Sequence, residues 1–299
     1  MPSSLSAKDA ESAAFWRRLL PELSIESTDA HETFEVAGLS ELMAQLRFEG
    51  YVSVPGVVPE RVFSALLGCV KCLHERGIPL AFAFVYDQFW QLFQGLSGFL
   101  EMVLGKGYRA LPDFWVWYVM PSEESTGWSP HRDRVQPTVD RNNSPHSLTV
   151  WVPFTDATPL NGCIYVLPAH LDERFKMRHW SGEGNIHVPE PQNIRAVPAT
   201  AGSLLAWNQG VLHWGGRASR MATVPRASAA FEFQRGDRTP FNNPLLDMRQ
   251  LPPFQKRLGL VGKQVLQYQH MYPLSPEIAA IAEALRDRYM PGSAVAAQE

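Results

Sequence analysis

The sequence predicts a β core with helices packed against it, and three observations carry that prediction. Beyond Leu111 the runs FWVWYVM, SLTVWVPFT, CIYVLP, SLLAW and RASAAFEF are short and rich in β-branched and aromatic residues, with Pro, Gly, Asn and Ser clusters between them. Before Leu111, apolar residues recur at helical spacing, and a helical pattern returns within residues 245–290.

The elements follow in order. Residues 1–35 mix Ser, Ala, Glu and Asp around small apolar patches and read as a helix with a loose lead-in. In ELMAQLRFEGYVSVPGVVP a helix ends at Gly50 and a short alternating strand follows. Pro59 opens a helix whose inner face is Val62, Phe63, Leu66, Leu67, Val70 and Leu73. One continuous helix is predicted from Tyr86 to Leu104, with Phe89, Leu92, Phe93 and Leu96 inward. Near the end, the Ser275–Pro276 pair precedes EIAAIAEALRDRY, a helix start followed by a helix, and PGSAVAAQE reads as frayed. The expected organisation is one domain over 1–299, helical over 1–110, β over 111–240 and partly helical over 241–299.

Composition excludes several classes. The chain is 45% hydrophobic and 19% charged, ordinary for a soluble globular enzyme. A net charge of -3 argues against a nucleic-acid or anionic-membrane partner. The N-terminus lacks a basic stretch followed by an apolar run, and no segment approaches the roughly 20 apolar residues of a membrane span. The three cysteines, Cys69, Cys72 and Cys163, cannot form a disulfide framework, and the CxxC lies within a helical pattern without a second pair. Cys69 and Cys72 read as half-buried helix residues, and a reducing, cytoplasmic setting is the default.

Chemistry enters at GWSPHRDRV. His131 and Asp133 are two residues apart, and in an extended strand such residues share a face. Downstream, GVLHWGGR supplies His213. Two imidazoles and one carboxylate form the facial triad of non-haem Fe(II) oxygenases, which leaves three metal positions open. A cosubstrate takes two and dioxygen the third. An HxD alone is more often a surface hydrogen-bonding pair, so its weight comes from its neighbours. Arg226 follows His213 by thirteen positions, and Ser228 stands two beyond it on a strand-like run. A guanidinium fork beside a hydroxyl suits a carboxylate, here the distal one of 2-oxoglutarate.

The ordered set HRD, SLTVWVPFTDATPLNGCIYVLPAH, GSLLAWNQGVLHWGG and PRAS resembles the phytanoyl-CoA dioxygenase family of 2-oxoglutarate oxygenases, over roughly residues 40–235. The resemblance implies a double-stranded β-helix (jelly-roll, cupin-like) core. It implies that His131, Asp133 and His213 hold iron, that Arg226 and Ser228 hold 2-oxoglutarate, and that Trp151 and Thr149 line the cosubstrate pocket. Two positions depart from the family pattern. Gly215 stands where many relatives carry a small hydroxyl residue, and Ala169 replaces the usual Ser of the LPAH segment. Asp133 is retained, whereas related halogenases lose that carboxylate, so chlorination is disfavoured.

The remaining histidines have duller readings. His170 reads as a structural hydrogen-bonding residue and His146 as an exposed loop residue. His31, His74, His179, His187 and His270 lack a carboxylate at ligand spacing, with His187 in reserve should His213 fail. Arg217 and Arg220 compete with Arg226 for the anion but lie in a Gly- and Ser-rich loop. Arg132 and Arg134 read as a solvated face, Gln136 as a pocket-edge residue. Trp117 and Trp128 can wall an apolar pocket.

The function that follows is hydroxylation of an unactivated C–H bond in a small molecule, with release of succinate and CO2. Desaturation, epimerisation and ring formation would use the same ligands. Rival readings are a cupin-like metal dioxygenase without 2-oxoglutarate and a non-catalytic small-molecule-binding barrel. Substrate contacts are expected from the helical N-terminal region and from loops over the barrel mouth.

Overall fold

The computed structural model describes residues 5–28, 31–122, 127–176, 190–271 and 274–290. Short helices α1 (Ala7–Glu11) and α2 (Ala13–Leu19) begin at Ser6 and Ser12, whose side chains accept the N–H groups of Asp9 and Phe15. Next comes α3 (Leu39–Glu49), closed by Gly50, which leads directly into β1 (Tyr51–Val54). Pro59 caps α4 (Glu60–Glu75), as the sequence predicts. Cys69 is buried there, Cys72 is half-buried, and both are free thiols.

The predicted helix from Tyr86 to Leu104 is two helices, α5 (Asp87–Gln94) and α6 (Ser97–Leu104). The cause lies in another part of the chain. Phe34 donates its N–H to the carbonyl of Gly95 at 2.8 Å. A Cβ at Gly95 would sit 2.5 Å from the Phe34 ring, so the helix can be crossed there only because the residue is glycine.

The β elements are β2 (Arg109–Val119), β3 (Ser147–Pro153), β4 (Ile164–Val166), β5 (Arg195–Val197), β6 (Leu204–Asn208), β7 (His213–Gly215) and β8 (Arg226–Gln234), with a short helix α7 (Glu173–Lys176) after β4. They form two antiparallel sheets, ordered β1-β6-β3-β8-β2 and β5-β4-β7. This is the expected jelly roll. Strand β5 goes unpredicted because its residues Arg195 and Ala196 are exposed and leave no apolar signature.

Every residue of β3 and β8 is buried, and the period of two sorts them by face. Leu148, Val150 and Val152 join Ala227, Ala229, Phe231 and Phe233 in the core beneath the helices. Trp151 and Ala230, opposite one another, pack instead with Ile164, Val166 and Leu205 between the sheets. The inner face also carries Thr149, Arg226, Ser228 and Glu232, so polar groups are confined to the barrel interior. On the helix side, the Phe84 ring packs at 4.2 Å from Phe114 and 5.6 Å from Phe231, and Trp90 packs at 5.4 Å from Phe231. Burying a large apolar side chain fully contributes roughly 1.5–3 kcal/mol, so this cluster anchors the sheet that carries the inner polar row.

The chain closes with α8 (Phe254–Gln267) and α9 (Pro276–Tyr289), the latter capped by Ser275 as predicted. Helix α8 is buried from Arg257 to Gln267, and Arg257 pairs with Asp87 at 2.6 Å with both side chains fully buried. No described helix is long and apolar enough to cross a membrane. The expected frayed end, residues 291–299, lies outside the described residues, as do His179 and His187.

Gly50 is the tightest hinge between helix and sheet. It has φ +81°, and an added Cβ would lie 2.5 Å from Val211 Cγ2. Its carbonyl also accepts the N–H of Asn208 at 2.8 Å. Gly50→Ala is expected to lower unfolding free energy by about 2–4 kcal/mol, combining left-handed strain with overpacking, measured by urea denaturation.

Candidate metal and anion site

His131, Asp133 and His213 come together, each offering one ligand atom, and those atoms lie within 4.8 Å of one another. The reason differs from the strand pleat expected for HxD. His131 forms only an isolated bridge, and Asp133 lies outside any strand. The bridge joins His131 to His213 through reciprocal N–H to carbonyl bonds of 3.0 Å. Trp128 N–H to Gly215 and Arg134 N–H to Gln209 pin the segment on either side of it. The irregular HRD segment is thus strapped along β7, and its two ligand residues are placed by that strap.

Both histidines are oriented alike. His131 Nδ1 lies 2.8 Å from the Ser129 carbonyl, and His213 Nδ1 lies 3.0 Å from the Val211 carbonyl. A carbonyl only accepts, so each Nδ1 carries the proton and each Nε2 presents its lone pair. Both Nε2 atoms lie 3.5 Å from Asp133 Oδ1. The other carboxylate oxygen is sealed. Asp133 Oδ2 accepts from the Thr149 hydroxyl at 2.6 Å and from Trp207 Nε1 at 2.9 Å. One oxygen is therefore left to face a cation.

Electrostatics fit this arrangement. Burial pushes the Asp133 carboxyl up, but His213, His131 and the Thr149 hydroxyl outweigh it and hold it well below the usual range. Burial pushes His213 down to about 4, the Asp133 carboxylate offsetting only part of that. The buried imidazole is accordingly neutral near pH 7, the form that binds metal.

Arg226 occupies the same cavity, which has a volume of about 750 Å³ and is also lined by all three cluster residues. It is 4% exposed, and its guanidinium donates to the Ser228 hydroxyl at 3.2 Å and lies 5.9 Å over the Trp151 ring. Burial lowers it to about 10, so it keeps its charge near neutrality. No carboxylate pairs with it among the described residues, and its buried Nε has no partner. Trp151 Nε1 is buried without a partner too. An unanswered buried cation is costly, so the arrangement calls for an anion. Arg217 and Arg220 are exposed and do not line the cavity, in keeping with the preference for Arg226.

Thr149 lines the cavity, as expected, and donates its hydroxyl to Asp133. Other expectations need correction. Arg132 and Arg134 are not a solvated face. Arg132 pairs with Asp172 at 2.7 Å, and Arg134 with Glu232 and, at 3.3 Å, with Asp113, all with side chains under 9% exposed. His146 is buried, not an exposed loop residue. No described residue before Trp115 lines the cavity, so the described N-terminal helices support the barrel from outside, and Phe241, Asn242, Gln267 and Tyr268 of the C-terminal region form a wall in their place. Gln136 is at the cavity, as expected. Trp207 stands out in the sequence only as one aromatic among many.

Fold and cluster together define a jelly-roll protein of the two-histidine, one-carboxylate type. Residues 97–222 match the family model of phytanoyl-CoA dioxygenase (PhyH). A search of curated proteins finds no match. Solved structures share the fold at low identity. The epimerase SnoN, in complex with Fe3+, alpha ketoglutarate and nogalamycin RO, is 19% identical with a TM-score of 0.54, covering 70% of this chain and 92% of SnoN. The non-heme monooxygenase ThoJ, as a nickel complex, is 16% identical with a TM-score of 0.52, covering 80% and 99%. The alpha ketoglutarate dependent carbocyclase SnoK is 17% identical with a TM-score of 0.52, covering 73% and 100%.

The sealed carboxylate and the buried imidazole each have a measurable consequence. Thr149→Val and Trp207→Phe each remove one bond to Asp133 Oδ2 and are expected to weaken divalent-metal binding 10- to 100-fold, measured by equilibrium dialysis. The metal-free fold holds His213 neutral, whereas an unfolded imidazole takes up its proton near 6.5. Stability present above 6.5 is therefore lost as pH falls toward 4, on the order of 3 kcal/mol. Urea denaturation in chelator at pH 4 and pH 7 should show this loss in the wild type and much less in His213→Gln.

Proposed function

We propose that this chain is an Fe(II)- and 2-oxoglutarate-dependent oxygenase acting on a small molecule, with His131, Asp133 and His213 as iron ligands. The observation that carries this reading is the pairing, in one cavity, of a three-donor cluster with a buried guanidinium that lacks an anion. The residues fit both groups. Two neutral imidazoles and one oxygen of a carboxylate suit a ferrous ion and leave half its positions open. Arg226, the Ser228 hydroxyl and Trp151 Nε1 are donors suited to the far carboxylate of a dicarboxylic acid. The match of residues 97–222 to the phytanoyl-CoA dioxygenase model supports the reading, as does the epimerase SnoN, whose own complex contains Fe3+ and alpha ketoglutarate.

The chemistry supplied with iron and 2-oxoglutarate bound would be the activation of dioxygen, the oxidant, with 2-oxoglutarate contributing two electrons and leaving as succinate and CO2. The protein's contributions are geometric. The Ser129 and Val211 carbonyls hold both imidazoles in the ligand tautomer. Thr149 and Trp207 hold Asp133 to a single oxygen, so the carboxylate does not chelate and claim a further position. Arg226 and Ser228 fix the cosubstrate at its far end. Trp117, Trp128 and Trp151 line the chamber with apolar surface that excludes water.

Hydroxylation of an unactivated C–H bond is the reaction we assign, and the retained Asp133 speaks against halogenation. A metal dioxygenase without 2-oxoglutarate would give the unpaired Arg226 no purpose, and a non-catalytic binding barrel would have no need of the unbroken three-donor cluster. The three free thiols and a ferrous site both suit a reducing, cytoplasmic setting.

Oxygen uptake and succinate release with Fe(II), ascorbate and 2-oxoglutarate test the assignment, and the expected ratio is one to one. Absence of both, with metal bound, would leave only a binding protein. Arg226→Ala is expected to raise the 2-oxoglutarate KM at least tenfold with a smaller change in kcat, from steady-state kinetics. An unchanged KM would move the anchor to Arg217 or Arg220.

A further inference from the structure

We propose that the substrate chamber beside the cluster accepts an uncharged, ring-bearing organic molecule, and rejects acyl-CoA thioesters and other strongly charged substrates. This inference rests on the oxygenase reading, because it assigns Arg226 to 2-oxoglutarate.

Charge sets the first limit. Arg132 is answered by Asp172, and Arg134 by Glu232 and Asp113. Lys263, behind the wall, shares Asp113 at 3.7 Å. Asn242 and Gln267, which also line the cavity, direct their amide donors to Asp113 at 2.8–2.9 Å. Among the described residues that line the cavity, only Arg226 and the cluster are left. A ferrous ion with Asp133, and a dianionic cosubstrate with Arg226, sum to a neutral site. Among the described residues an anionic substrate would then meet no free cation in the partly buried chamber, and an ammonium no carboxylate that is not already paired. Either burial is costly without a counter-charge.

Surface chemistry supplies the positive half. Trp117 and Trp128 pair edge to face at 4.8 Å, and Trp128 lies 5.5 Å from His131, beside the metal position. Elsewhere on the lining Trp115 and Tyr268 pair edge to face at 5.2 Å. The three tryptophans are only half-buried, so parts of these rings remain uncovered by protein. Met120 and Val135, also on the lining, are 45% and 46% exposed, apolar side chains where a charged ligand would find no partner. The volume of about 750 Å³ lies in the range of about 300–1,000 Å³ that encloses a drug-sized ligand, so cosubstrate and metal fill only part of it. Two such aromatic pairs favour a ligand that itself presents π-faces and edges. Tyr268 stands directly after α8, so the C-terminal region takes part in substrate choice.

Isosteric probes test this on Mn(II)-loaded protein with saturating 2-oxoglutarate, by anaerobic equilibrium dialysis. 9-Anthracenemethanol is expected to bind at least tenfold more tightly than 9-anthracenecarboxylate, 9-(aminomethyl)anthracene or octanoyl-CoA. Trp115→Ala and Trp117→Ala, at half-buried positions, are each expected to weaken the neutral probe at least fivefold. A charged probe that binds as tightly as the alcohol overturns the inference, as does neutral binding unchanged by both substitutions. The probe comparison in wild type needs no variant to fold. Because no turnover is involved, loss of probe binding with 2-oxoglutarate binding intact sinks this inference alone. Loss of 2-oxoglutarate binding sinks the oxygenase reading.

Discussion

The bond pair on Asp133 Oδ2 is the constraint on which the site depends. With the Thr149 hydroxyl and the Trp207 indole holding one oxygen, the other points at both Nε2 atoms at equal distance. Asp133 sits in an irregular segment with no regular strand pairing of its own, so its placement comes from those two side chains and from the bridge between His131 and His213. Thr149 and Trp207 in turn face one another across β3 and β6. The proposed metal position is thus tied through two hydrogen bonds to β3 and β6, strands that are buried throughout and made stiff by close packing.

That stiffness has a source in the other face of the same strands. Leu148 and Val150 flank Thr149 and point into the helix-side core, as do Phe231 and Phe233 beside Glu232. Close packing there leaves the strands little freedom to shift, and the polar inner row inherits the positions that the apolar outer row sets. The buried Arg134–Glu232–Asp113 group extends the same principle to the cavity wall. A complete set of partners makes those charges tolerable in the interior, and leaves none of them for a ligand.

Much of this is legible in the sequence, and the limits have physical causes. Arg226 and Ser228 can be placed together from spacing because they lie on a true strand, where a separation of two means one face. His131 and Asp133 come together for a different reason, since their segment is not a strand and the residue that straps it, His213, is far along the chain. Thr149 and Trp207 as supports of Asp133 leave no mark, because an outer hydrogen-bond donor has no characteristic spacing. The break at Gly95 is hidden for a similar reason, its cause being Phe34. Arg132 and Arg134 look solvated because Asp172, Asp113 and Glu232, which neutralise them, are remote in sequence. Long-range pairing decides all of these, and periodicity carries only local information.

The oxygenase reading requires that three side chains hold one ferrous ion to which 2-oxoglutarate adds in the same cavity. An anaerobic Fe(II) titration in the presence of 2-oxoglutarate, followed by visible charge-transfer absorption, tests it most directly. The expected result is a band that saturates at one iron per chain and does not appear without 2-oxoglutarate. Tight iron binding with no such band, or no iron binding at all, would contradict it.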